Sequence, residues 1–216
     1  MSNRNEFDLE NRQTQRYRTK FFLLAALPLI LAISAIAVLV AFQSRALAER
    51  EINALETQLI EAKRAELKNY ISIARTAIGA DYGNALPDDE VAKDKVMQSL
   101  AAMIYGQDGY FFVFDYDGKN LVAPRQTHLI NKNWIGLRDV NDTPITSELI
   151  RIARSGGGYH SHLWLKPTTG EQAEMVTYVI GLQDWRWALG TGIFIDDIRA
   201  IVATARAGVE ERIQRT

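Results

Sequence analysis

His160 and His162 stand two residues apart in a chain of 216 residues that has three histidines and no cysteine. On a β-strand that spacing sends both imidazoles to one face, as in a metal site with two ligands. No third ligand stands near them, so the pair reads as part of a solvated strand face, and neither metal nor cofactor is expected. Catalysis has no better footing. The chain has no glycine loop that would cradle a phosphate and no nucleophile with a base at useful spacing, and Gly156 to Gly158 follow a predicted helix instead of opening one, so they read as a helix stop. Binding chemistry is better supplied. Tyr110, Trp134, Trp164, Tyr178, Trp185 and Trp187 fall on predicted strands or on the loop between them, and such rings offer an apolar body with one polar handle. Arg125 and Lys166 are the cations nearest to those rings in sequence, and either could meet an anion, Arg by a planar fork and Lys as a point charge.

Charge narrows the partners. The net charge of −1 and the isoelectric point near 6.3 leave no basic excess for a phosphate backbone, so nucleic acid is not an expected partner. Without cysteine there is no disulfide frame and no thiolate site.

Residues Phe21 to Phe42 form an uncharged apolar run of 22 residues. As a helix it is roughly 33 Å long, enough to span a bilayer and too long for the apolar stretch of a cleaved signal peptide. Arg4, Arg12, Arg16, Arg18 and Lys20 precede the run, against Arg45 and Arg50 just after it. That bias predicts a cytoplasmic stub over 1–20, a membrane helix over 21–42 and an extracytoplasmic remainder.

From 43 to about 80 the residues are strong helix formers, with Ile52, Leu55, Leu59, Ala62, Ile71, Ala74 and Ile78 forming a narrow apolar stripe. Such a stripe suits either a stalk paired in a homodimer or a helix folded onto its own domain. After a turn-rich connector, Asp88 or Asp89 can cap a second helix that ends near Gly106. At Gly109 the period changes to two: Tyr110, Phe112 and Phe114 share one face of a strand, and Phe111, Val113 and Asp115 the other. Asp117-Gly118 predicts a hairpin, with Lys119 to Ala123 returning. A long loop from Pro124 to Asp142 precedes a short helix opened by Pro144, and strands follow at 159–166, 172–181 and 185–195. A last helix starts near Asp196. Grouped helices followed by about five antiparallel strands predict an α+β fold with the helices on one face of the sheet.

The ordered string GYFFVFDYDGKNLVAP at Gly109 to Pro124, then Gly136 with Asp139, then Trp164 to Pro167, Thr177 to Val179 and WRWALGTGIFIDDI at Trp185 to Ile198 resembles the single Cache domains of bacterial sensor histidine kinases and chemoreceptors. The resemblance runs over roughly residues 45 to 205. It implies a PAS-like sheet with a long N-terminal helix, a sensor domain over 81–197 and a C-terminal helix over 198–216 leading back toward the membrane. It also implies a small organic ligand such as a short carboxylate, contacted by Tyr110, Phe112, Trp164, Lys166 and Tyr178, to which the reading of nearby cations adds Arg125. The family commonly has His where this chain has Ala123, and Lys where it has Met175, which favours a less polar ligand. The wording FDYDGKNLVAPRQ looks closest to kinase-associated members, so the chain is expected to be the sensor portion of a histidine kinase in the inner membrane, itself not an enzyme. The alternatives are a chemoreceptor's sensor region or a ligand-free dimerisation or spacer module.

Overall fold

The computed structural model describes the backbone of residues 3–214 and the side-chain surroundings of residues 26–212. The basic side chains that precede the apolar run lie outside those described surroundings. The chain divides into two compact units, residues 1–53 with 205–216, and residues 54–204.

Helix α1 runs unbroken over Asn3–Ala77 and carries Pro28 in its interior. Its most apolar window has a mean hydropathy of 2.4 and none of it is buried, and among the described residues this is the one helix long and apolar enough to cross a membrane. An all-round apolar face with no protein packed on it suits lipid, where a helix satisfies every backbone group within itself. Within the same unit, Arg206 on the last helix, α5 (Asp196–Gln214), donates to the side-chain oxygen of Asn53 at 3.1 Å.

The second unit is built on a six-stranded antiparallel sheet of β1 (Ile104–Tyr105), β2 (Gly109–Asp115), β3 (Asn120–Val122), β4 (Gly158–Leu165), β5 (Gln172–Leu182) and β6 (Trp187–Phe194). The order is β1-β2-β6-β5-β4, and β3 pairs with a different stretch of β2 from β1. The five predicted strands are present. The sixth, β1, is a two-residue extension whose length left no periodicity to read.

Phe111 and Val113 of β2, with Trp187 and Leu189 of β6, pack with Ile71 and Ala74 of α1, with Ile78 just after it, and with Ala92, Val96 and Leu100 of α3 (Glu90–Ala102). The upper part of the α1 stripe thus folds onto its own sheet, whereas Leu55 and Ala62 are exposed. Asp89 caps α3 by accepting from the Ala92 N–H at 3.0 Å, as its position predicted. Between α1 and α3, Gly79–Gly83 forms a single turn, α2.

The opposite sheet face is not bare. Tyr110, Phe112 and Phe114 pack there with Ile145, Leu149 and Ile152 around α4 (Thr146–Arg154). The helices therefore lie on both sheet faces, not one, because α4 has its own apolar stripe and β2 is buried on both sides. Helix α4 opens at Thr146, two residues later than expected, since Pro144 is bridged to Arg138 and its carbonyl meets His160. At its other end the Gly156 N–H reaches the Ala153 carbonyl and the Gly157 N–H the Ile152 carbonyl, a Schellman closure with both glycines at positive φ. The triple glycine is a helix stop.

Candidate ligand cavity

The polar heart of the second unit is a ring of three side chains drawn from three elements. The Trp164 indole on β4 donates to the Tyr110 hydroxyl on β2 at 3.1 Å and to Gln126 Oε1 on the following loop at 3.0 Å. The Tyr110 hydroxyl in turn donates to Gln126 Oε1 at 3.2 Å. Period-two alternation puts Tyr110 on the α4 side of the sheet, and a tight turn from Ala123 to Gln126, closed at 3.0 Å, brings Gln126 back over it. Tyr110 and Gln126 are both buried, and burial pushes the Tyr110 hydroxyl up to about 12, so it stays protonated.

This ring closes one side of a cavity of about 30 Å³, room for roughly two water molecules. Phe112 and Phe114 of β2, Met175 and Thr177 of β5, and His162 of β4 continue the wall, and Ala123, Leu129, Ile145 and Leu149 cover it. The sheet leaves space for this because Gly190 pairs with Phe112, and a Cβ at Gly190 would strike the Phe112 ring. The covering loop is anchored by Asp139, which accepts from the N–H groups of Asn141 and Thr143 and, through its other oxygen, of Leu163 on β4, each at 2.9 Å. The bond from Leu163 comes first in holding the Asp139 carboxyl below its ordinary range. Trp134 closes the loop on itself by donating to the Leu129 carbonyl at 2.9 Å.

Three buried polar atoms on the cavity wall have no protein partner among the described residues: His162 Nδ1, Asn120 Oδ1 and Thr177 Oγ1. Buried polar groups are ordinarily paired, and an orphan costs about 1–3 kcal/mol. Three around one cavity make a surface prepared for a polar visitor. His162 is 6 % exposed, and burial, reinforced by neighbouring His160, lowers it to about 3, so it is neutral.

A family model described as single Cache domain 2 matches residues 57–207, a span that contains every residue of the cavity wall. The chain belongs to the single Cache domain 2 family. It is 41 % identical over 199 residues to the sensor histidine kinase MctS of Rhizobium johnstonii, covering 92 % of this chain and 43 % of that one. It is 28 % identical over 202 residues to the methyl-accepting chemotaxis protein CtpM of Pseudomonas aeruginosa, covering 91 % and 35 %. The chain thus spans less than half the length of these relatives. Among solved structures, a methyl-accepting chemotaxis protein from Vibrio parahaemolyticus superimposes with a TM-score of 0.65 at 36 % identity, covering 68 % of this chain and 99 % of that one.

In this Cache domain the six expected ligand residues separate into three groups. Tyr110, Phe112 and Trp164 line the cavity together. Arg125 is exposed at the loop's edge, beside Gln126. Lys166 and Tyr178 are elsewhere. Lys166 pairs with Asp196 at 2.8 Å with its ammonium over the Phe194 ring, and Tyr178 faces α1, its ring 4.8 Å from that of Tyr159 and under the Lys68 ammonium. Tyr178 follows Thr177 by one residue on a strand, so the two must point to opposite faces. Trp185 and Trp187 likewise belong to the α1 side.

The reading of His160 and His162 as solvated is corrected: they stack 5.2 Å apart, His160 meets the Pro144 carbonyl at 2.9 Å, and His162 is buried in the wall. The covering loop, which local sequence does not place, removes that face from water. Gln126, Asn120 and Thr177 were passed over, and only the alternation that pairs Thr177 with Met175 could have flagged one of them. Ala123 and Met175, where family members commonly carry His and Lys, both line the cavity.

Proposed function

We propose that this chain is the extracytoplasmic ligand-sensing region of a membrane-bound receptor, the sensor portion of a two-component histidine kinase, and that the cavity beside Trp164 holds its ligand, a small organic molecule the size of a short carboxylate. The observation that carries this reading is the cavity with three unpartnered buried polar atoms on its wall and a Tyr–Trp–Gln ring at its edge. The kinase output is favoured over a chemoreceptor by the 41 % identity to MctS against 28 % to CtpM. The excess of basic residues before the apolar run supports a cytoplasmic N-terminus and a single span over 21–42, with the sensor domain outside. A ligand larger than roughly two waters would move the covering loop and β5 apart to make room. The same sheet packs on α1, so a ligand that prefers one arrangement biases that helix, and through it the membrane span, in a homodimer.

A thermal-shift screen of the full chain in nanodiscs against small acids, amides, amines and alcohols tests this. A specific ligand at about a hundred times its Kd adds roughly 2.7 kcal/mol of stability, a rise of several degrees. The reading fails if no compound in a broad library raises the transition.

A further inference from the structure

Every side chain on the cavity wall is uncharged. The wall has two ionisable groups, Tyr110 and His162, both buried, and it holds no Lys, Arg, Asp or Glu. Charges further out do not make up the difference. At the Tyr110 end the exposed Arg125 is offset by Asp108, and the carboxylate near the His162 end, Asp139, is itself an anion. The cations nearest the wall in sequence are committed or outside: Lys166 pairs with Asp196, and Lys119 and Arg125 are exposed. An anion entering this space would leave water with no cation to meet it. The orphaned atoms point the same way. Asn120 Oδ1 can only accept, so it calls for an N–H or O–H that a carboxylate lacks, while Thr177 Oγ1 can donate or accept.

We propose that the cavity takes its ligand uncharged, as a small amide or the protonated form of a short carboxylic acid, able to meet an unpartnered wall atom such as Asn120 Oδ1 or the Thr177 hydroxyl without a counter-charge. This inference rests on the sensor reading above and makes it specific. A receptor of this kind reads acid concentration and acidity together, since each pH unit above a carboxylic acid's pKa removes about nine-tenths of its neutral form.

Calorimetry of the full chain in nanodiscs with the matched pairs acetamide and acetate, propionamide and propionate, is the test. The amides bind equally well at about pH 6 and about pH 8, whereas apparent affinity for the acids falls roughly a hundredfold over that range. Met175→Lys, which sets an ammonium on the wall, gains at least about tenfold in acetate or propionate affinity at the higher pH, as an added counter-charge should. Carboxylate binding that is flat with pH, with the amides silent, overturns the inference and leaves the sensor reading standing. If Arg125→Ala abolishes that flat binding, Arg125 is the missing counter-charge. A wild-type chain that binds none of the four, and no member of the broader library, overturns both.

Discussion

The Trp164 indole reaches the Gln126 side-chain carbonyl at 3.0 Å across 38 residues of sequence, joining the end of β4 to the loop that covers the cavity. Both partners are held further, Trp164 by Tyr110 and Gln126 by a 3.4 Å bond to the Leu165 carbonyl. Trp164→Phe keeps a ring of similar shape and removes both donations. It should lower stability by about 1–2 kcal/mol and weaken ligand binding more than tenfold, seen in thermal melts and calorimetry on the same sample.

Thr177 presents the opposite balance. Its hydroxyl is buried without a protein partner among the described residues. Thr177→Val should raise the melting temperature of the ligand-free protein, by an amount corresponding to about 1 kcal/mol, while reducing ligand affinity. A lower melting temperature in the variant would mean that the hydroxyl is already satisfied.

Asp139 should make part of the stability depend on pH. Its folded-state pKa lies below the ordinary carboxylate value, chiefly because the Leu163 N–H bonds the ionised form. A depressed pKa contributes stability that is present above the unfolded value and lost as pH falls through the folded one. The gap in melting temperature between wild type and Asp139→Asn should therefore be full near neutral pH and shrink in acid. A gap that does not change between neutral and acid pH would show that the anchor does not depend on the charge.

At the end of α4, Gly157 sits at φ +105° with the Val179 carbonyl 2.9 Å from where a Cβ would stand. Gly157→Ala is strained on both counts and should destabilise by about 2 kcal/mol or more, whereas Ser155→Ala, two residues earlier and exposed, should cost under about 1 kcal/mol. Denaturation midpoints of the two variants make the comparison.

Lys166→Ala and Tyr178→Phe, at positions expected from the sequence to touch ligand, should leave its affinity within about twofold of wild type, since neither side chain lines the cavity. Titration of both variants with any compound that the screen identifies checks this.

The sequence by itself determined what depends on neighbours along the chain. The apolar run of α1, the Asp89 cap, the alternation of β2, the Asp117-Gly118 turn and the glycine stop after α4 are each set within a few residues by periodicity, hydrogen bonding or permitted φ. The resemblance to single Cache domains added the positions of Ala123 and Met175 on the cavity wall. What only the tertiary structure decided is which sheet face the loop over 123–145 and α4 would cover. Alternation says that Thr177 and Tyr178 point apart, but not which of them meets the ligand; that follows from where α1 and α4 pack, tens of residues away. For the same reason His162, polar and on a strand, ends up buried and neutral, and Gln126, in a long loop whose local sequence does not place it, becomes an interior hydrogen-bond partner. Burial belongs to the assembled layers, and no local spacing encodes it.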